Sequence, residues 1–149
     1  MLAQLKAIET RILVDSTPKR VWSILTNFEE YYLWNPFMKK VKGHAKLGSK
    51  IEVHIQSIRG KHRRYNPVIT KFVINKELRW KGRSFLPGIF DGERIFVIDE
   101  AADNKVSFLH TEIFSGLGVW LFGNKLDEDL RESFDNMNRA LKYRAEKLK

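Results

Sequence analysis

Three ionisable residues in the second half of the chain, Arg94, His110 and Glu112, have the types and spacing that chemistry would need. A histidine and a carboxylate two positions apart on an extended segment share a face, because strand side chains alternate sides. Such a pair can act as general base and acid when burial and neighbours bring their pKa values near working pH. The same pair can also anchor a ligand's polar end, form an internal salt bridge, or sit on a solvated face. Phe108, His110, Glu112 and Phe114 form one face of the segment, and Leu109, Thr111 and Ile113 form the other. Both faces are mixed, so alternation alone does not choose the inward one. If the first turns inward, Arg94, Phe96 and Ile98 of the preceding strand join it, with cross-strand neighbours about 4.5 to 8 Å apart. Arg94 would then neutralise Glu112 and leave His110 as an adjustable donor or acceptor.

Other chemistries fall away. The chain has no cysteine, which excludes disulfides, Fe–S clusters, thiolate zinc sites and cysteine nucleophiles. His44, His54, His62 and His110 show no metal-ligand spacing, and His54 alternates with Ile51, Val53 and Ile55 so as to face water. Neither a metal nor a cofactor is expected. There is no G-x-S-x-G and no Walker loop, and Gly116-x-Gly118 lacks the third glycine and the βαβ setting of a dinucleotide site. Whether the protein is an enzyme stays open.

The elements that must position these residues follow from hydrophobic period. Ile8, Thr10, Ile12 and Val14 alternate with Glu9 and Arg11, a half-buried strand. Asp15-Ser16-Thr17-Pro18 then offers N-cap oxygens and a proline for the first helical turn, opening a short helix with Val21, Trp22 and Leu25 inward. Asn27 is expected to cap a second short helix that stops at Trp34-Asn35-Pro36. Period two then predicts strands over 38–46, 50–58, 67–75, 78–84, 93–100 and 105–114, with links short enough to make neighbours antiparallel. Leu126, Leu130, Phe134, Met137, Leu141, Ala145 and Leu148 recur at steps of three and four, which predicts an amphipathic helix over 125–146. Gly123-Asn124 should separate that helix from the apolar run Leu117 to Phe122. One strand, two small helices, a strand series and a long helix bury every apolar face when a curved antiparallel sheet wraps the last helix, an α+β order.

The 149 residues fit one domain spanning 1–149, and 43% hydrophobic with 30% charged residues is globular composition. The longest charge-free stretch, Ile113 to Asn124, is too short to cross a bilayer, and Lys6, Glu9 and Arg11 interrupt any signal-peptide core, so a soluble cytoplasmic protein is expected. The balance of 27 Lys+Arg against 18 Asp+Glu, a net charge of +9, favours anionic partners. Its densest cluster, Arg59, Lys61, Arg63 and Arg64, reads as a solvated loop; the alternative is contact with RNA, the ribosome or an anionic membrane.

Five segments carry a resemblance to a known family: Thr17 to Trp22, Phe28 to Phe37, Leu78 to Gly82, Pro87 to Glu93 and Phe108 to Leu117. In this order the chain resembles the helix-grip fold of the START-like SRPBCC superfamily, particularly its bacterial polyketide cyclase/dehydrase-like members. The resemblance implies a cavity between sheet and C-terminal helix that binds, transports or modifies a hydrophobic small molecule such as a lipid or polyketide. It implies that the Phe108 face turns inward and that Trp80, Arg94, Phe96, Ile98, Phe108, His110, Glu112, Phe114, Phe134 and Met137 meet the ligand. The remaining tryptophans, Trp22, Trp34 and Trp120, read as core, and the apolar link Phe85 to Phe90 as a cavity rim or as packing. Relatives are expected to carry histidine two residues before the aromatic at Phe96, where this chain has Arg94. Arginine stays protonated and is poorly suited to proton transfer at that position, and the resemblance carries over no catalytic residue.

Overall fold

The computed structural model describes residues 5–58, 62–83, 91–116 and 123–147. Strand β1 (Leu5–Val14) is followed by helix α1 (Pro18–Thr26), a single 3-10 turn (Phe28–Glu30) and helix α2 (Tyr31–Trp34). Strands β2 (Met38–Lys42), β3 (Glu52–Gln56), β4 (His62–Tyr65), β5 (Val68–Val73), β6 (Glu77–Arg83), β7 (Asp91–Ala102) and β8 (Lys105–Ser115) precede the long helix α3 (Asn124–Lys147). The pairing is antiparallel throughout, in a five-stranded sheet ordered β1-β8-β7-β6-β5 and a three-stranded sheet ordered β2-β3-β4. A short ladder joins them, in which Ile51 N donates to Pro67 O and Ile69 N to Ser49 O, both at 2.9 Å. Helix α3 packs against β1, β8 and α1, giving the expected helix-grip arrangement.

Local chemistry accounts for most boundaries. Thr17 caps α1 by accepting from Arg20 N at 3.1 Å, with Pro18 in the first turn, and Val21, Trp22, Ile24 and Leu25 are buried. Asn27, expected to cap the next helix, makes no side-chain cap bond; only its carbonyl accepts, from Glu30 N. The working asparagine is Asn35, whose Oδ1 accepts from Phe37 N (2.9 Å) and Met38 N (2.8 Å) and turns the chain into β2.

Strand β2 stops at Lys42 rather than running to residue 46, because Gly43 turns the backbone at φ +130° and a Cβ there would lie 2.7 Å from Ile51 Cγ2. Strand β3 is likewise shorter than 50–58, whereas β7 exceeds 93–100 at both ends. The larger correction is β4: Arg63 and Arg64, read as loop, are strand residues paired with Ile55 and His54. Arg59 and Lys61 lie outside the described residues, as do the links Phe85 to Phe90 and Leu117 to Phe122 with Trp120. His54, expected to face water, is half-buried, with Nε2 2.7 Å from Glu52 Oε2 and Nδ1 3.3 Å from His62 Nε2.

In α3 the stripe Phe134, Met137, Leu141 and Ala145 is fully buried, but Leu126 is exposed and Leu130 only half-buried. The helix therefore grips through its second half. Two polar residues, Ser133 and Asn138, are buried with the stripe.

Candidate functional site

The concave face of the five-stranded sheet is built from cross-strand rows. One row runs Ile69, Trp80, Arg94, Glu112, Ile8; the next runs Leu78, Phe96, His110, Thr10; a third holds Ile98, Phe108 and Ile12. Register thus sets Arg94 directly opposite Glu112 and Phe96 directly opposite His110. Of the ten side chains expected at the ligand, nine are buried here, and Phe114 packs half-buried against the same core. Aromatic rings surround the polar trio. His110 stacks on Phe134 with centroids 4.4 Å apart and 8° between planes, and lies 4.7 Å from Phe96. The Arg94 guanidinium carbon sits 4.9 Å from the Phe134 ring centre and 5.2 Å from that of Phe37.

Arg94 Nη2 donates to Glu112 Oε1 at 2.7 Å, and Nη1 to His110 Nε2 at 2.8 Å. Because arginine has donors only, His110 Nε2 must be the unprotonated nitrogen, and Nδ1–H donates to Asn138 Oδ1 at 3.0 Å. Asn138 Nδ2 donates to Thr10 Oγ1, and Thr10 Oγ1 donates to His110 O, each at 2.8 Å. The chain of donors has one direction, starting at the arginine and closing on the histidine's own carbonyl. His110 is therefore not left adjustable toward a ligand: both ring nitrogens are engaged within the protein. Burial first, and the Arg94 charge second, hold its pKa well below the usual imidazole value, so it is neutral. Burial raises Glu112, with Arg94 opposing. A histidine whose one ring lone pair already accepts from a guanidinium is poorly set to take a proton; the arrangement holds rather than shuttles.

Sequence reasoning missed four contributors. Asn138 is the polar interruption of the α3 stripe, next to Met137, and that interruption was its signal. Thr10 read only as a strand position. Tyr65, from β4, accepts from Trp80 Nε1 at 3.2 Å, and its pKa is raised by burial while Arg94 opposes. Phe37 closes the polar trio from the α2–β2 side, and with Pro36, Gln56, Ser57, Ile58, Ser133 and Asn136 it lines a cleft of about 40 Å³. That is room for water but far short of a drug-sized molecule, so a larger guest there requires side chains to part. One donor of the trio, Arg94 Nε, is buried without a partner.

Among the described residues, no group of three or more His, Asp or Glu is placed to hold a metal, and no helix is long and apolar enough to cross a membrane. The family model for polyketide cyclase/dehydrase and lipid transport proteins matches residues 6–146. The chain belongs to that family. No match was found among curated proteins. Among solved structures, a START superfamily protein from Mycobacterium smegmatis is 18% identical with a TM-score of 0.76, covering 96% of this chain and 99% of that one. The Zhui aromatase/cyclase from Streptomyces sp. R1128 is 12% identical with a TM-score of 0.79, covering 97% and 95%. A norcoclaurine synthase mutant from Thalictrum flavum, solved with a transition-state analogue, is 10% identical with a TM-score of 0.75, covering 99% and 98%. At these identities the likeness is one of fold. The family supports hydrophobic ligand binding; it lends no support to contact with RNA or acidic membranes through Arg59, Lys61, Arg63 and Arg64.

Proposed function

We propose that the protein binds a hydrophobic small molecule, a lipid or polyketide-like compound, between the five-stranded sheet and α3. In this reading Trp80, Phe96, Ile98, Phe108, Phe114, Phe134 and Met137 form the wall, and Arg94, His110 and Glu112 form its polar end. The observation that carries it is the buried Arg94–Glu112 ion pair with neutral His110 bonded beside it. A core position filled with apolar side chains is usually at least as stable as one holding an ion pair, since desolvating two charges costs about what their attraction returns. Charge at the centre of an aromatic chamber therefore has a use other than stability, and recognition of a ligand's polar atom is that use. Phe37, with the cleft on one side and Arg94 on the other, is the side chain a guest displaces on entry.

Titration with naphthalene, followed by tryptophan emission and calorimetry, tests the proposal: one-to-one saturable binding is expected, with Trp80 a main reporter. Native mass spectrometry of protein purified from its own host should show a co-purifying apolar compound. Failure of both overturns the reading.

A further inference from the structure

Resting on that reading, we propose that Glu112 makes the site selective for ligands whose polar end is an uncharged oxygen acceptor, such as a ketone or hydroxyl, bound at Arg94 Nε–H. Arg94 is 1% exposed and has two of its three nitrogens committed, Nη1 to His110 and Nη2 to Glu112, while Nε has no partner. The rings of Phe37 and Phe134 meet the guanidinium charge but offer no acceptor to an N–H, and the Tyr65 hydroxyl, which also interacts with Arg94 and accepts from Trp80 Nε1, leaves Nε unpaired. A ligand oxygen is the group this donor lacks.

Charge decides which oxygen. The arginine is already balanced by one carboxylate at 2.7 Å, and His110 is uncharged in its hydrogen-bond chain. A ligand carboxylate would add a second anion to a site from which water is excluded, leaving it net negative, which is the costly case for a buried group. Glu112 is seated against the sheet: its Oε2 sits 2.7 Å from the position a Cβ on Gly92 would take, so the carboxylate fills the space that glycine leaves on β7. A neutral acceptor satisfies the unpaired donor and changes no charge. Glu112 thus acts by rejection as much as by holding Arg94 in place.

Methyl naphthyl ketone and naphthoate share one ring system and nearly one shape, so their affinity ratio isolates the head group. Wild-type protein should bind the ketone at least about tenfold more tightly than naphthoate, and more tightly than naphthalene. Glu112→Gln keeps the shape, removes the anion, and should shift the ratio toward naphthoate by about tenfold or more. Independently of any variant's folding, the Nε–Hε NMR signal of Arg94 in the wild type should move on addition of ketone and stay in place with naphthalene. Equal wild-type affinities, a ratio unchanged in a folded Glu112→Gln protein, or an Arg94 signal indifferent to ketone overturns the head-group assignment while leaving apolar binding intact. If none of the three probes binds, the parent reading fails and this inference fails with it.

Discussion

Replacing Arg94 with methionine keeps much of the side chain's length and removes its charge, a perturbation whose cost can be worked from its partners. The change deletes the 2.7 Å bond to Glu112 and the 2.8 Å bond to His110, leaving a carboxylate and an imidazole lone pair buried without donors. Breaking one side of a buried ion pair typically costs about 3–5 kcal/mol, a large part of the roughly 5–15 kcal/mol that holds a domain together. Loss of the attraction also raises the Glu112 pKa further, since Arg94 is the group that opposes its burial. A folded-state pKa above the unfolded value means stability present at low pH and lost as pH rises through the folded value. The Arg94→Met protein should therefore be most destabilised at neutral and alkaline pH and recover as pH falls toward about 4.5. Urea denaturation followed by circular dichroism at several pH values measures this. Combining Arg94→Met with Glu112→Met should restore at least half of the loss, because neither charge is then left alone. A single mutant within about 1 kcal/mol of wild type, or a double mutant no better than the single, would refute the buried-pair argument.

Phe134→Ala removes the ring stacked on His110 and packed on Phe37 at 5.5 Å, and should cost about 3–5 kcal/mol in urea denaturation; an unchanged midpoint would take α3 out of the grip. His110 is held below the usual imidazole pKa, so the stability it confers is present above about pH 6.5 and lost as pH falls below it. Wild type should weaken from pH 6.5 to 5 by at most about 1.4 kcal/mol per unit, and His110→Gln should flatten that slope; equal slopes in the two proteins would assign the titration elsewhere. Phe37→Ala should speed both association and dissociation of naphthalene in stopped-flow fluorescence, whereas unaltered rates would put the entrance elsewhere. Charge reversal at Arg63 and Arg64 should leave naphthalene affinity unchanged; a collapse in affinity would make β4 part of the pocket.

Much of the fold was legible because burial on one face writes its period into the chain. The alternation in β1 and the stripe from Phe134 to Ala145 are such records, and the cap at Thr17 is a contact three residues long. β4 was not legible. His62, Arg63, Arg64 and Tyr65 carry no apolar alternation, and the segment is a strand because its backbone completes the ladder of β3, a property of pairing rather than composition. The site divides similarly. Arg94, His110 and Glu112 stood out as ionisable residues among aromatics, while Thr10 and Asn138 looked ordinary until the fold brought them to His110.

The amino-acid sequence by itself determined which side chains could share a face and which kind of helix would close over them, since both are local consequences of strand and helix geometry. Only the tertiary structure decided that the Phe108 face turns inward, because both faces of β8 are mixed and the choice depends on what α3 brings against them. It also decided the protonation of His110. Arginine can only donate, so once the antiparallel register and the closing helix set Arg94 on one ring nitrogen and Asn138 on the other, the direction of every hydrogen bond between them followed.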